Sequence, residues 1–400
     1  INLNNQTGYT QITPFLDSDN IWGPPYPTGS DYAADAHYCA VKYYDFLQSS
    51  FSRNSIDNNG YPLVSYLNYG QGLVNAFWNG NSVVYGGGNN TTQPYTSLDI
   101  AGHEFTHGLI QKTANLNYIG EPGTINEAIA DMLGAALEFY GAPQQANWTI
   151  AESSGTTLRS MAFPKQFNQP DTYHGNFWYY GSGDNGGVHI NSGFINKWFY
   201  LLVVGGQGTN DLGFSYSIQG IGIDKATSIV YETLLSRLIP ASGFSDFRNG
   251  SILSVQQLYG TCSIETATCM KAWEAVGFGL NQSAILPLNT PSGTSFCDGD
   301  SLIITTEAFP GATYEWFVNS QLHVVTTMPF LEVRTEGNWN VVRRYCNVAV
   351  SSGQIFIDRL PIPSVTTSDE TICAGATVSP VSFPLGGSYS IPLPWSGSTV

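Results

Sequence analysis

The chain has 400 residues, of which 42% are hydrophobic and only 11% are charged. This length allows two or three domains with sizeable cores. The formal net charge of −16 argues against a nucleic-acid-binding protein, because binding to phosphates requires a basic patch. The longest apolar run, residues 199–204, is far too short to cross a membrane, so we expect no membrane span.

The N-terminal part, residues 1–96, is predicted to form a β-rich lobe with one helix at about 31–50. Runs of β-branched and aromatic residues alternate there with Gly and Asn, which is typical of strands separated by turns. From residue 97 the apolar residues recur every three or four positions, so residues 97–281 are predicted to form a helical lobe. Its predicted helices cover about 97–113, 124–141, 191–204, 224–238 and 267–277.

A linker is predicted at 282–293 and an all-β module at 294–360, because the helical pattern stops and short strand-like runs begin. Cys297, Trp316 and Cys346 follow the Cys–Trp–Cys order of an immunoglobulin-like (Ig-like) sandwich. The usual tyrosine two residues before the second cysteine is missing. The module resembles the Ig/PKD-like repeats of secreted Bacteroidetes proteins, which implies either a binding module or a spacer.

A Cys-x-Gly pattern suggests a weak internal repeat. It begins at Cys297 and recurs 76 residues later at Cys373. This spacing is about that of one small sandwich, so residues 361–400 are predicted to start a second, truncated β module.

The cysteines indicate an oxidising compartment. Cys262 and Cys269 are close enough in sequence for a local disulfide, and Cys297 and Cys346 are predicted to form another. The partner of Cys373 stays open. Because the chain opens on Ile1 and carries no signal peptide, we expect a secreted, extracellular protein whose signal and pro-segment have been removed.

The segment SLDIAGHEFTHGLIQK, residues 97–112, contains two histidines four positions apart. On a helix, His103 and His107 share one face and can present ring nitrogens to one metal ion. Glu104 lies beside that face, where a base can take a proton from water. Two ligands hold zinc too weakly, so a third is needed. Glu127 is the candidate, with Asp131 one turn later.

Each of these residues also has an ordinary explanation. An HExxH pattern arises by chance in many long chains. Thr124 and Glu127 form a Thr-x-x-Glu capping box, so Glu127 could simply close a helix end. Asp131 alone could be a solvated helix charge. Agreement among separate segments decides between these readings.

Seven separate segments together resemble the thermolysin family of secreted zinc endopeptidases. The resemblance covers about residues 1–280 and implies an α+β fold with two lobes and zinc in the cleft between them, followed here by the all-β, Ig-like sandwich. The segments are ADAHY at 34–38, NAFWNG at 75–80, HEFTH at 103–107, NEAIAD at 126–131, LRSM at 158–161, DNGGVHINSG at 184–193 and GIGIDKA at 220–226.

The resemblance implies one catalytic zinc ion bound by His103, His107 and Glu127, with Glu104 as general base. In the family, an Asp and an Asn hydrogen-bond the outer nitrogens of the two histidines. Asp131 and Asn126 match those positions.

The resemblance also implies the groups that act on the substrate. Tyr118 and His189 would stabilise the negative oxygen formed during hydrolysis, and Asp184 would orient His189. Asn75 and Ala76 would bind the main chain of the substrate as an added strand.

The predicted function is a secreted endopeptidase that hydrolyses peptide bonds with a zinc-activated water molecule. Arg159 would hold a substrate carbonyl. Ile100, Ile150 and Leu158 would line a hydrophobic pocket, which implies a preference for a bulky hydrophobic residue on the C-terminal side of the cut. Proteins and peptides are the expected substrates, and the chain is expected to be a monomer.

The resemblance further implies at least one structural calcium ion. Asp99, Glu138 and Glu152 match carboxylate ligands, whereas Asn147 stands where the best-known member has Asp. Thr149 likewise replaces a Glu. Fewer carboxylates lower the charge density, so we expect one calcium ion rather than two adjacent ones.

Three alternative classes of protein require different residues from those seen here. Zinc aminopeptidases share HExxH but carry a glutamate-containing amine-recognition motif, where this chain has NAFWNG. Metzincins need a third histidine at the position of Thr113. A non-catalytic adhesin on an inactive protease scaffold would not need Glu104, Tyr118 and His189.

Overall fold

The computed structural model describes residues 1–10, 12–15, 30–89, 91–279, 285–346 and 348–361, with two further short strands at 364–366 and 381–383. The chain divides into two compact units, Ile1–Asn281 and Gln282–Val400. In the part of the chain described, no helix combines the length and apolar character that crossing a membrane requires.

The N-terminal unit is mainly helical. Its helices are α1 (Ser30–Phe51), α2 (Leu98–Gln111), α3 (Gly120–Gly141), α4 (Asp184–Val204), α5 (Ile223–Ser236), α6 (Phe244–Tyr259) and α7 (Ile264–Ala275). Two short 3₁₀ turns lie at Glu152–Ser154 and Pro164–Phe167.

The strands of this unit are short. They are β1 (Ser65–Tyr69), β2 (Ala76–Trp78), β3 (Val83–Gly86), β4 (Thr149–Ile150), β5 (Arg159–Ser160), β6 (Gly205–Thr209) and β7 (Ser215–Gln219). In the first sheet β3 is central, parallel to β1 and antiparallel to β2, so β2 is an edge strand. The other four strands form two antiparallel pairs, β4 with β5 and β6 with β7.

Helices α2 and α3 form the centre of the unit. Every residue of α3 from Gly123 to Glu138 is buried, and most of α2 is buried as well. A helix that is buried all round is normally apolar, yet these two carry acids, histidines and an asparagine. Because buried polar groups need hydrogen-bond partners or ligands, these side chains must pair with one another or bind an ion.

Two glycines allow α2 and α3 to approach closely. A Cβ atom on Gly134 would lie 2.4 Å from the carbonyl oxygen of Asp99 and 3.1 Å from the amide nitrogen of His103. A Cβ atom on Gly102 would lie 2.9 Å from the Cα atom of Gly134. Both positions therefore require glycine for steric reasons, and both lie beside the HExxH segment.

The C-terminal unit contains only strands among its described residues. They are β8 (Leu288–Asn289), β9 (Ser295–Cys297), β10 (Leu302–Thr306), β11 (Thr313–Val318), β12 (Gln321–Thr326), β13 (Phe330–Val333), β14 (Gly337–Tyr345), β15 (Val348–Ser351), β16 (Ile355–Leu360), β17 (Ser364–Thr366) and β18 (Val381–Phe383). One sheet has the order β12-β11-β14-β16-β9, with β15 also paired to β14, and a second has the order β13-β10-β8. Trp316 on β11 and Trp339 on β14 are fully buried.

Three helix predictions differ from the structure. α3 begins at Gly120, so Glu127 lies two turns inside the helix and the capping-box explanation is wrong. The segment assigned to α4 begins at Asp184, but residues 184–187 form a left-handed turn, so the regular helix begins near Val188, three residues before the predicted start at Asn191. α6 was not predicted at all.

The predicted disulfide between Cys262 and Cys269 is wrong, since Cys269 is a free, buried thiol. Cys269 lies on the core side of α7, where its Sγ atom is 3.8 Å from the Oγ atom of Ser251. Cys262 precedes that helix and is disulfide-bonded.

The predicted pairing of Cys297 with Cys346 is also wrong. Cys297 is a free, exposed thiol on β9, whereas Cys346 is disulfide-bonded and directly follows β14. Strand β16 lies between β9 and β14, so about two strand spacings of 4.8 Å separate them. A second module was predicted at 361–400. Most of this segment, including Cys373, lies outside the described residues.

The close approach of α2 and α3 predicts a strong effect of a single methyl group. Gly134→Ala should lower the free energy of unfolding of the N-terminal unit by about 2 kcal/mol, because the new Cβ atom overlaps the backbone of α2. Denaturant titration of the purified variant measures this loss. Gly8→Ala is the matched control, because its added Cβ atom would meet only the Oγ1 atom of Thr10, at 3.9 Å. Equal stability of the two variants would contradict the steric argument.

Candidate metal centre and active site

Two histidines of α2 and one glutamate of α3 converge on one point. The Nε2 atoms of His103 and His107 are 3.0 Å apart. The Glu127 carboxylate lies 3.4 Å from the first nitrogen and 3.5 Å from the second. Among the described His, Cys, Asp and Glu residues, only these three gather their ligand atoms within 4.8 Å of one another.

The outer nitrogens of the histidines show why this point suits a cation. The Nδ1 atom of His103 lies 2.8 Å from the Oδ1 atom of Asp131, and that of His107 lies 2.8 Å from the Oδ1 atom of Asn126. Each Nδ1–H therefore donates outwards, so that in the neutral rings each Nε2 atom directs a lone pair inwards. Two lone pairs that face each other beside a buried carboxylate fit a metal ion, and two nitrogens with one oxygen is a ligand set that zinc prefers.

Asp131 is fully buried and makes a network of charged contacts. The guanidinium of Arg159 donates to both of its oxygens, at 2.5 and 2.7 Å. Burial by itself would raise the pKa of Asp131, but the charge of Arg159 and the hydrogen bond with His103 hold it well below its usual range. Asp131 therefore stays ionised.

His103 and Glu127 respond to the same charges. Burial would lower the pKa of His103, but its hydrogen bond with Asp131 and the nearby carboxylates outweigh burial and raise the pKa to about 8. Burial would raise the pKa of Glu127, but the three neighbouring histidines and Arg159 lower it. The centre therefore keeps its carboxylates negative.

Glu104 directly follows the first histidine on α2 and points to a different partner. Its Oε2 atom accepts a hydrogen bond from the backbone N–H group of Trp78 at 2.9 Å. That contact ties the edge strand β2 to the helix and leaves Oε1 available. Trp78 was within the NAFWNG segment but was not singled out from the sequence.

Tyr118 and His189 both lie close to the Oε1 atom of Glu127. The Tyr118 hydroxyl donates to the Oε1 atom of Glu127 and lies 3.3 Å from the Nε2 atom of His189. Burial and the charge of Glu127 raise the pKa of Tyr118, so its hydroxyl stays protonated. The side chain of His189 is 49% exposed, and Tyr118 is 42% exposed, so both groups border the solvent.

A left-handed turn fixes Asp184 against His189. Asp184, Asn185, Gly186 and Gly187 have φ angles of 51°, 50°, 91° and 82°. The Oδ1 atom of Asp184 lies 2.6 Å from the Nδ1 atom of His189, and Oδ2 accepts the His189 N–H group at 3.0 Å. Consecutive left-handed residues are rare outside glycine, so the turn is a specific device for holding this histidine.

A cavity of about 440 Å³ lies over the centre. The edge strand β2 forms one wall, since Asn75, Ala76, Phe77 and Trp78 all line it. Nine of the fourteen lining residues were predicted from the sequence, and the five that were not are Phe77, Trp78, Gln111, Asn115 and Leu116. The remaining lining residues are His103, Glu104, His107, Tyr118, Asn126, Glu127 and His189.

The residues predicted for the hydrophobic pocket lie away from this cavity. Ile100 and Ile150 are buried, and Leu158 is 39% exposed and donates its N–H group to the Ile150 carbonyl at 2.9 Å. Arg159 is bound to Asp131 rather than open to the cavity. The pocket assignment therefore stays a prediction.

The residues predicted to bind calcium lie near the end of α3. Asn147 connects two of them, because its backbone N–H group donates to Glu138 at 3.2 Å and its amide donates to Glu152 at 2.7 Å. Asp99 accepts from the N–H groups of Ala151 and Ile100 at 2.6 and 2.8 Å. Burial and the charge of Asp99 raise the pKa of Glu138 to about 8.

Comparison with known families agrees with this geometry. Residues 1–111 match the family model described as the thermolysin metallopeptidase catalytic domain, and residues 114–278 match the model of its α-helical domain. The precursor of protealysin, a metalloproteinase from Serratia proteamaculans, superposes with a TM-score of 0.57 at 27% identity, over 70% of this chain and 86% of that one.

Curated relatives are similar over the same region. Bacillolysin of Bacillus cereus is 40% identical over 274 residues, which is 66% of this chain and 46% of the relative. Thermolysin of Alicyclobacillus acidocaldarius is 40% identical over 270 residues, which is 66% of this chain and 48% of the relative. The chain thus spans about half the length of the curated relatives it matches. With the His-His-Glu centre and both family models matched across residues 1–278, the chain belongs to the thermolysin metallopeptidase family.

Proposed function

We propose that the chain is a zinc-dependent endopeptidase that hydrolyses peptide bonds in proteins and peptides. The observation that carries this proposal is the convergence of His103, His107 and Glu127 with their ring nitrogens facing inwards. When bound there, zinc would polarise the scissile carbonyl and make a water molecule more acidic.

Glu104 is the proposed general base. It lies next to the metal ligands on α2 and is held by only one of its two carboxylate oxygens. A carboxylate in this place accepts the proton of the attacking water and then donates it to the departing amine.

Tyr118 and His189 are the proposed donors to the oxygen that becomes negative during the attack. Their polar atoms are 3.3 Å apart, so both can reach one oxygen. Donors already aimed at a developing charge are among the most effective catalytic groups. Asp184 accepts a hydrogen bond from the Nδ1–H group of His189, which orients the ring so that Nε2 faces the substrate. Nε2 is a donor to the substrate when the ring carries both protons.

The edge of β2 is the proposed binding site for the substrate main chain. One side of β2 pairs with β3, and its residues line the cavity. An extended peptide can add to such an edge and present its bond to Glu104, as in other cases of strand addition. A site that binds the interior of a peptide chain, rather than its N-terminus, favours an endopeptidase over an aminopeptidase.

The finer properties of the protein are inferred from the family and the sequence. We infer a secreted, monomeric enzyme that prefers a bulky hydrophobic residue after the cut, in a pocket that involves Ile100, Ile150 and Leu158. The C-terminal unit is inferred to be an Ig-like module. The two larger sheets of this unit and the fully buried Trp316 support this inference.

A calcium site formed by Asp99, Glu138, Asn147 and Glu152 is the second part of the proposal. Two of these acids are buried, and Asn147 holds the other carboxylate near them. The raised pKa of Glu138 supports the proposal, because a divalent cation would remove the repulsion that causes part of this shift.

Glu104→Gln should abolish peptide hydrolysis and leave the zinc content unchanged. The amide keeps the size of the carboxylate but cannot accept the proton of water, so kcat should fall by roughly 10³-fold. Hydrolysis of an internally quenched peptide with a blocked N-terminus, with and without a zinc chelator, measures this effect. Elemental analysis gives the zinc content.

Glu232→Gln provides the same exchange on α5 and should keep full activity. Retained hydrolysis in Glu104→Gln would rule out Glu104 as the base. Activity of the unmodified chain that survives zinc removal, or requires a free N-terminus, would refute the proposed endopeptidase.

Calcium should change how stability depends on pH. The pKa of Glu138 is about 8 in the folded chain and near the ordinary value of 4.5 when unfolded. Between these values the unfolded chain binds fewer protons, so without calcium stability should fall as pH rises from 5 to 8. Thermal unfolding at several pH values, at constant zinc, measures this dependence.

Added calcium should raise the unfolding midpoint more at pH 8 than at pH 5, because protons compete for Glu138 at low pH. Glu138→Gln should flatten the pH dependence and weaken the response to calcium. An unchanged calcium response in this variant would exclude Glu138 as a ligand.

The pocket assignment can be tested with Leu158→Ala. If Leu158 lines the pocket, the variant should lose about tenfold in kcat/KM for peptides with leucine after the cut, because it loses apolar contact. Leu253→Ala on α6 is the matched control, since Leu253 is 37% exposed and Leu158 39%. The same small loss in both variants would exclude Leu158 from the pocket.

A further inference from the structure

Asn196 contacts the metal centre from a helix that carries none of its ligands. It lies on α4, seven residues after His189, and is 1% exposed. Its Nδ2 atom donates to the Oδ2 atom of Asp131 at 2.7 Å. Asn196 therefore touches the acid that holds His103.

The Asp131 carboxylate receives four hydrogen bonds, two on each oxygen. His103 and the Nη2 atom of Arg159 share Oδ1, at 2.8 and 2.5 Å. The Nε atom of Arg159 and the amide of Asn196 share Oδ2, both at 2.7 Å. A carboxylate has about four lone-pair directions, so Asn196 completes the set. Without it, Arg159 alone would hold Oδ2, and the carboxylate could turn away from His103.

The oxygen of the Asn196 amide shows what orients this side chain. Its Oδ1 atom is buried and has no hydrogen-bond partner in the described structure. An unpaired buried oxygen is unfavourable, and the reverse orientation would set two acceptors against each other. The bond to Asp131 is thus the one polar contact that orients this side chain.

We propose that Asn196 is a positioning residue of the metal centre, which fixes the Asp131 carboxylate and through it the ring of His103. It also ties α4, and with it His189, to α3, which carries Glu127. This inference rests on the proposed zinc-dependent function. Four elements then contribute to the position of His103: α2, which carries it, α3 with Asp131, β5 with Arg159, and α4 with Asn196.

The test is the zinc affinity of Asn196→Leu, which keeps the approximate size of the side chain and removes its donor. Loss of a group that orients a ligand typically costs 10- to 100-fold in metal affinity, so the dissociation constant for zinc should rise at least about tenfold. Competition with a chromogenic chelator measures it in the full chain. If Asn196→Leu does not fold, Asn196→Ala provides the same comparison.

Thr233→Val is the matched control. Thr233 is fully buried on α5, and its hydroxyl donates to the Ile229 carbonyl at 2.6 Å, so the change also removes one buried hydrogen bond. The free energy of unfolding of the zinc-free protein should fall to a similar extent in both variants. Only Asn196→Leu should lose zinc affinity. An unchanged zinc affinity, or an equal loss in the control, would overturn the inference.

A double variant tests the route through Asp131. If Asn196 acts through this acid, adding Asn196→Leu to Asp131→Asn should weaken zinc binding little further. Fully additive losses would overturn the inference. An unmodified chain that binds no zinc would overturn the proposed function and this inference together. A chain that binds zinc and cleaves peptides, with normal affinity in Asn196→Leu, would overturn the inference alone.

Discussion

The mutual orientation of two imidazole rings is the constraint on which the rest of the site depends. His103 and His107 direct their Nε2 atoms at each other over 3.0 Å, beside the buried carboxylate of Glu127. This arrangement is unfavourable without a cation or a shared proton, because lone pairs and a negative charge meet in a place with little water. It persists because two helices are held close together, and the glycines at 102 and 134 make that approach possible.

Charge around the histidines is balanced by buried contacts rather than by solvent. Asp131 is paired with Arg159 from β5, contacts His103 from α2 and accepts the amide of Asn196 from α4. A buried ion pair of this type adds little net stability, but removing either partner leaves an isolated charge. The network therefore fixes geometry more than it stabilises the fold, and it links four separate segments to one ligand.

The outer groups of the site are arranged differently from the ligands. His103, His107 and Glu127 lie on regular helices, whereas Tyr118 precedes α3 and His189 follows a left-handed turn. Both of these side chains border solvent, and so does the edge strand β2. Ligands on rigid helices keep the metal in place, and donors at an open edge can meet a peptide that enters from solution.

The local chemistry of the site could be predicted from the sequence. The spacing of His103, Glu104 and His107 follows from the helical repeat, and α2 and α3 could be recognised by their apolar periodicity. Glu127 was the candidate for the third ligand, with Asp131 one turn later, and the family resemblance implied the roles of Asp131 and Asn126. Patterns within one element were therefore readable, with two exceptions. Helix α6 was not predicted, and the starts of α3 and α4 were misplaced because glycines and left-handed residues interrupt the periodicity.

Contacts between distant elements were decided only by the tertiary structure. The sequence could not pair Trp78 with Glu104 or Asn196 with Asp131, because these residues are 26 and 65 positions apart. It also gave the wrong cysteine pairs, since distance along the chain does not reveal that Cys269 faces a core or that β16 separates β9 from β14. Local repeats determine which side chains share a face, whereas packing determines which faces meet, and packing depends on contacts along the whole chain.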